Sequence, residues 1–375
     1  MTSLVPSTSA EIPTSPRDAV NRRILEVSED QIKGFSRNPM REIAKRSGLD
    51  VQTVIERIQA MLRTGIIRRV RQTLLATNLA QGALIAWKIT PDKLDHAFEF
   101  ISREDPFSGH VVIRNSEFGS TAWPLWTTLK VPTGFSVEKH CDYIRDSIGA
   151  EKYRIMPALR AFVLGVGHMR RKHLHVGAMA DAPAMDMVPA IVDLDDRDWR
   201  VLVELKRDFK ADEISEELWA PRAAAAGLPL EEFLAVAESL DSRGVIGRFS
   251  TFLEHTKPVG DASERLSSFN GLFHWSVPAG KEIEGGREIG RFTILTHCYW
   301  RDAGPELDNV NIMAVAHGET KDEVMAHKAA IDKHLIDSGI GLNYTNVYWG
   351  GRAEIKPSEV SPAAYRAWAA QHGLL

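Results

Sequence analysis

His110-Val-Val-Ile-Arg114 and His297-Cys-Tyr-Trp-Arg301 set the same two side chains four residues apart, once in each half of a 375-residue chain. The offset is 187 for His110 and His297, for Arg114 and Arg301, and for Leu125 and Ile312. Other marks follow in the same order: Gly65-Ile-Ile-Arg-Arg69 against Gly244-Val-Ile-Gly-Arg248, Trp87 against Trp275, and Tyr153 with Arg160 against Tyr344 with Arg352. Such a chain reads as a fused pseudo-dimer, in which two copies of one plan face each other across a shared cleft. Differences between the copies then mark the half that does chemistry.

Periodicity fills in each copy. Ile43, Ala44, Val54, Ile55, Ile58 and Leu62 recur at helical spacing, Gly48 suits the turn between two helices, and Thr64-Gly65 stops the second. A short basic strand follows, so the block reads as a winged helix-turn-helix. Asp195 to Leu205, Asp212 to Ala226 and Pro229 to Leu240 repeat the plan, with Arg243-Gly244 as the stop. After each wing the expected order is a strand (Ala83 to Ile89; Gly271 to Val277), a helix, the His-x-x-x-Arg strand, a strand (Trp123 to Val131; Val310 to Ala316), a helix (Ser136 to Ile148; Lys321 to Ser338) and a last strand (Tyr153 to Val163; Leu342 to Ile355). That is βαββαβ, a ferredoxin-like half-barrel with one open sheet face. The fold class is therefore α+β, a tandem repeat of winged helix-turn-helix plus ferredoxin-like domain. The divisions are a disordered tail at 1–18, winged helices at 19–78 and 191–260, ferredoxin-like domains at 79–171 and 261–357, a linker at 172–190 and a C-terminal tail at 358–375.

Winged helices suggest DNA, yet a recognition helix needs basic or amide side chains for phosphates and base edges. Pro229 to Leu240 carries Glu231, Glu232 and Glu238 and no basic residue, and the first copy offers Asp50, Gln52, Thr53, Glu56 and only Arg57. Base-specific DNA binding is not expected, and a net charge of −4 gives no general pull on polyanions. No apolar run approaches a membrane span. Two cysteines, Cys141 and Cys298, build neither a disulfide framework nor a four-Cys metal site, which favours the cytoplasm. His168, His173 and His175 match no standard metal spacing. The basic residues gather at the wings: Arg68, Arg69 and Arg71, with Arg248 repeating Arg69. Guanidinium groups lining a cleft suit a ligand with several carboxylates; a solvated strand edge is the plainer reading.

Gly244-Val-Ile-Gly-Arg-Phe, Thr296-His-Cys-Tyr-Trp-Arg301, Asn270-Gly-Leu-Phe-His-Trp-Ser-Val-Pro278 and Asn311-Ile-Met-Ala-Val-Ala-His-Gly318 resemble the B-type subunit of siroheme decarboxylases. Gly65-Ile-Ile-Arg-Arg-Val, Leu125-Trp-Thr-Thr-Leu-Lys-Val-Pro132 and Met156-Pro-Ala-Leu-Arg-Ala-Phe162 resemble the A-type subunit. The resemblance covers residues 35 to 356 and points to the Lrp/AsnC superfamily. It implies removal of two acetate carboxylates from siroheme, giving didecarboxysiroheme on a route to haem d1 or haem. Where the family has a double arginine at the second wing this chain has Gly247-Arg248, its Arg-Lys pair is Thr256-Lys257, and Gly350-Gly351 adds a glycine before Arg352.

Decarboxylation of a pyrrole acetate leaves electron density that the macrocycle spreads and an acid must quench. It asks for cations to orient carboxylates, an apolar wall and a proton donor, with no redox cofactor and with siroheme as substrate. Strand alternation puts His297, Tyr299 and Arg301 on one face, and these are the expected catalytic residues. The equivalent row in the first copy is His110, Val112 and Arg114, so the second copy is the better candidate for chemistry. Arg68, Arg69, Arg71, His110, Arg114, Arg248, His255, Lys257 and His317 are the expected substrate-binding residues. Cys298 and the tryptophans Trp87, Trp123 and Trp126 read as packing. The fused chain could pair again as a homodimer. A haem or siroheme sensor and an Lrp-type regulator are the competing readings.

Overall fold

Helices start where short polar side chains precede apolar periodicity. Asp18, Asn38 and Asp50 accept backbone N–H bonds at the starts of α1 (Ala19–Ser28), α2 (Pro39–Ser47) and α3 (Val51–Arg63), satisfying donors that every helix start leaves open. Gly48 ends α2 at φ 64°, a left-handed turn that disfavours any Cβ. The structure, a computed structural model, describes residues 12–165, 174–254 and 269–375. After β1 (Ile32–Lys33) and the wing strand β2 (Ile67–Leu74) come β3 (Ala80–Lys88), α4 (Pro91–Glu104), β4 (Ser108–Ser116), β5 (Leu125–Pro132), α5 (Val137–Ile148), β6 (Lys152–Pro157) and β7 (Arg160–Leu164). The second half holds α6 (Asp196–Lys206), α7 (Ala220–Ala225), α8 (Leu230–Ser242), the wing β8 (Ile246–Leu253), β9 (Phe269–Ser276), α9 (Glu282–Ile289), β10 (Leu295–Trp300), β11 (Ile312–Gly318), α10 (Lys321–Asp337), β12 (Tyr344–Ile355) and α11 (Pro362–Gln371). The α+β tandem plan of the sequence is the plan of the fold.

The two wings do not stand apart. β8 pairs with β1 on one side and β2 on the other, and a single apolar core runs from Ile24, Ile43 and Ile58 of the first block to Leu202, Phe233 and Leu240 of the second. Gly247, where the family has arginine, lies so close to β2 that a Cβ there would come 2.6 Å from Thr73 Oγ1.

Each ferredoxin-like copy has its last strand beside its first, giving β6-β3-β5-β4 and β12-β9-β11-β10, and β4 joins β12 to make eight strands, to which β7 adds the ninth. β7 adds to β10 at the far edge. Only Ala158 and Leu159 separate β6 from β7, although these are the two outermost strands. Three peptide steps reach at most about 11 Å, so the sheet curls until its edges meet. β12 joins the copies in one piece: Tyr344 to Trp349 pair with β9, while Tyr348 to Gly350 and, beyond a bulge, Ala353 to Ile355 pair with β4. The extra glycine of this chain sits at that bulge.

Helices cover the outside of the curled sheet, Phe98 of α4 and Ile144 of α5 sharing a core with Trp87 in the first copy, and Ile331 of α10 one with Phe273 and Trp275 in the second. The alternate residues face inward, among them Ala86, Trp126, Met156, Leu272, Met313 and Tyr348. The stretch read as a C-terminal tail contains α11, capped by Ser361, whose Tyr365 and Trp368 join the first outer core.

Beneath α11, His140 Nε2 lies 3.3 Å from Asp105 Oδ2, and its Nδ1 lies 3.2 Å from the Tyr365 hydroxyl. Burial pushes the Asp105 carboxyl up, but the charge and hydrogen bond of His140, with bonds from Ser108 and the Phe107 N–H, leave it below its ordinary 3.8. A depressed carboxylate contributes stability that is complete above its unfolded pKa and is lost as pH falls through the folded one. Between about pH 6 and pH 3 the urea midpoint of the parent should therefore fall further than that of Asp105→Asn. Equal slopes would remove Asp105 from the acid response.

Candidate functional site

On β10 the row His297, Tyr299, Arg301 does share the inner face. Cys298 and Trp300 point the other way, into the second outer core. The His297 and Tyr299 rings lie near parallel, 15° apart with centroids at 6.2 Å, and the Arg301 guanidinium sits 4.5 Å over the tyrosine ring. His297 Nδ1 is 3.2 Å from Thr296 Oγ1. Arg301 donates from Nη1 to the Met156 carbonyl at 2.6 Å, which fixes the guanidinium plane against β6 of the other copy. Burial brings Arg301 down to about 10 and pushes the Tyr299 phenol up, so tyrosine stays a neutral donor at neutral pH.

The first copy mirrors this. Arg114 donates from Nη1 to the Tyr348 carbonyl at 3.1 Å and to Asn270 Oδ1 at 3.3 Å, reaching β12 as Arg301 reaches β6. Burial holds it at about 10. His110 lies exposed at the strand's outer end, so His and Arg of this row meet different surroundings. Beside Arg114 stands His274, which the sequence reading did not single out. Its ring lies 4.5 Å from Tyr348 and 5.5 Å from Trp126, and its Nε2 is buried without a hydrogen-bond partner among the described residues. Burial, then Arg114 and Lys328, push it down to about 3, so it is neutral.

His317 is half-buried on β11, opposite Asn270. Its counterpart 187 residues earlier is Lys130. That offset was legible, yet Lys130 lay inside an apolar strand pattern and stood outside the expected set. Burial, then the charge of Arg301, lower its ammonium to about 7.

The wing arginines gather at the ends of the two histidine strands. Arg69 donates from Nη2 to the Ile355 carbonyl at 3.1 Å, and Ile355 is the ladder partner of His110. Arg248 donates to the Gly165 carbonyl at 2.8 Å and to the Glu29 carbonyl at 3.1 Å, and Gly165 follows Leu164, the partner of His297. Arg69 and Arg71 both lean on Asp208, at 3.4 and 3.7 Å. Burial lowers Arg68, Arg71 and Arg248. The Nε atoms of Arg68 and Arg71 are buried without hydrogen-bond partners among the described residues. The set thus divides: Arg248 bonds backbone carbonyls at 2.8 and 3.1 Å, whereas the Nε atoms of Arg68 and Arg71 make no hydrogen bond among the described residues, that of Arg71 lying 3.7 Å from Asp208. His255, Lys257, His168 and His173 lie outside the described residues. On α8, Glu231 and Glu238 are held by Arg37 of the other copy at 2.8 and 2.6 Å, in exposed ion pairs.

Comparison with known proteins gives the same outline. The AsnC-like ligand binding domain model matches residues 79–162 and 267–341, and the winged helix-turn-helix DNA-binding model matches residues 36–68. A siroheme decarboxylase of Hydrogenobacter thermophilus is 25% identical over 305 residues, 80% of this chain and 84% of its own length. The siroheme decarboxylase alpha subunit of Desulfovibrio desulfuricans is 28% identical over 152 residues, covering 40% of this chain and 82% of its own. The siroheme decarboxylase NirH subunit of Pseudomonas aeruginosa is 31% identical over 115 residues, 30% of this chain and 62% of its own. The crystal structure of the siroheme decarboxylase NirDL superposes with a TM-score of 0.65 at 20% identity, over 93% of this chain and 97% of that one. Its complex with an iron-uroporphyrin III analogue gives 0.65 at 19%, over 94% and 99%. The fold is shared along nearly the whole chain, and the resemblance to siroheme decarboxylases read from the motifs holds over four-fifths of it.

Proposed function

We propose that this chain is a carboxy-lyase that removes acetate carboxylates from siroheme, giving didecarboxysiroheme for haem d1 or haem synthesis. The observation that carries the reading is the His297, Tyr299, Arg301 row on the inner face of a curled sheet, in a chain that resembles siroheme decarboxylases. The inner wall supplies the apolar surface of Trp126, Leu272 and Met313, and buried guanidinium groups approach it from both copies.

In the proposed mechanism Arg301 orients the reacting acetate and the apolar wall weakens its hydration, which favours loss of the charged group as carbon dioxide. The bond from methylene to carboxyl carbon breaks, and its electron pair passes to the methylene, where the macrocycle delocalises it. His297 then gives a proton to that carbon and becomes neutral, with Tyr299 stacked beside it as a second donor. One carboxylate and one proton become one carbon dioxide and one methyl group. Siroheme is the substrate here.

The purified chain, incubated anaerobically with siroheme, should yield a product lighter by two carbon dioxides, read by mass spectrometry. A spectral shift without mass loss would mark a sensor. Neither would return the chain to the regulator class.

A further inference from the structure

Lys130 lies on β5 between β3 and β4, directly across the ladder from Gly82. Alternation from Trp126, an inner-face residue, carries Lys130 to the same face. Its side chain folds over the glycine: a Cβ at position 82 would come 2.1 Å from Nζ and 3.0 Å from Cε. Any larger residue at 82 would evict the ammonium from this position, so the bare backbone of Gly82 is what lets the lysine lie flat against the wall.

Arg301 Nη1 bonds the Met156 carbonyl, and Met156 is the ladder partner of Leu84, two residues along β3 from the Gly82 that the Lys130 side chain covers, so both cations lie on one stretch of wall, and the charge of Arg301 acts on the ammonium. Cations held together away from water are unfavourable unless an anion joins them. Among the described residues no carboxylate pairs with Lys130, and the acceptor recorded for Arg301 is a neutral carbonyl. The neighbouring strands, among the described residues, bring these groups. β3 offers Gly82 opposite, β4 offers His110, whose backbone N–H bonds Thr128 Oγ1, and β10 with its extension offers Tyr299 and Arg301.

We propose that Lys130 and Arg301 grip one carboxylate of the tetrapyrrole between them, the lysine from the first copy and the arginine from the second. The inference rests on reading this interior as a tetrapyrrole site. Because the free ammonium is held near neutrality by burial and by Arg301, the arriving carboxylate draws a proton onto it, and binding carries a proton with it.

The test titrates the full chain with iron uroporphyrin III. Absorbance gives the affinity, and calorimetry in two buffers of different ionisation enthalpy gives the protons taken up at about pH 8. Lys130→Met should bind about ten- to a hundredfold more weakly and take up fewer protons than the parent. Lys130→Arg, charged at every working pH, should bind nearly as the parent does and still lose the proton uptake. Parent-like affinity and uptake in Lys130→Met would overturn the inference while leaving the tetrapyrrole reading intact. Should that variant not fold, parent-like uptake in Lys130→Arg overturns it equally. A parent chain that binds no tetrapyrrole removes both.

Discussion

His297→Ala is expected to lower siroheme decarboxylation by about 10²- to 10⁴-fold, the usual worth of a positioned proton donor, while siroheme binding stays within a few-fold. A donor acts in the transition state and adds little to ground-state affinity, so kcat falls and the dissociation constant does not. His297 stands on the inner face, stacked against Tyr299, whereas His110 lies exposed and has Val112 in place of the tyrosine. His110→Ala should accordingly cost less. Single-turnover assays with binding measured separately decide it, and parent-like turnover in His297→Ala would exclude this residue from the chemistry.

The second large effect concerns stability. Trp368 of α11 is buried against His140, stacked at 4.8 Å and 25°, and edge-on to Phe107 at 5.4 Å. Its indole N–H donates to the Glu104 carbonyl at 3.3 Å. Trp368→Ala is expected to destabilise the chain by about 3 to 5 kcal/mol, because the transferred area and the cavity left behind add. Urea denaturation would show a lower midpoint with little change in slope. A shift under about 1 kcal/mol would mean that α11 merely rests on the surface.

Local signals made the repeated plan legible. The turn at Gly48, the stop at Thr64-Gly65 and the alternation through His297 to Arg301 depend on neighbours in the chain, and the structure keeps each of them. What depends on sheet order was hidden. Lys130 and Arg301 are 171 residues apart and belong to one wall only because β7 of the first copy adds to β10 of the second, a pairing no periodicity announces. His274 alternates with Phe273 and Trp275 in an apolar strand, so its inward face became evident only once the outer core was known. The common core of the two wings was equally nonlocal. By contrast α11 had a readable start, Ser361 as cap and Pro362 in the first turn, signals of helix entry that the tail reading passed over.

The joining of both copies in one polypeptide has a consequence for how the site can change. In a homodimer any substitution appears on both sides of the dyad, so a tyrosine gained at one strand is gained at its twin. Here Tyr299 stands where the first copy has Val112, and Lys130 where the second has His317, at one offset of 187. A covalent tether also makes the meeting of halves intramolecular, so the pairing no longer depends on concentration. Each half is thereby released to specialise by single mutations, and the interior can become lopsided, with one flank tuned to deliver protons and the other to grip, without either flank losing its mate.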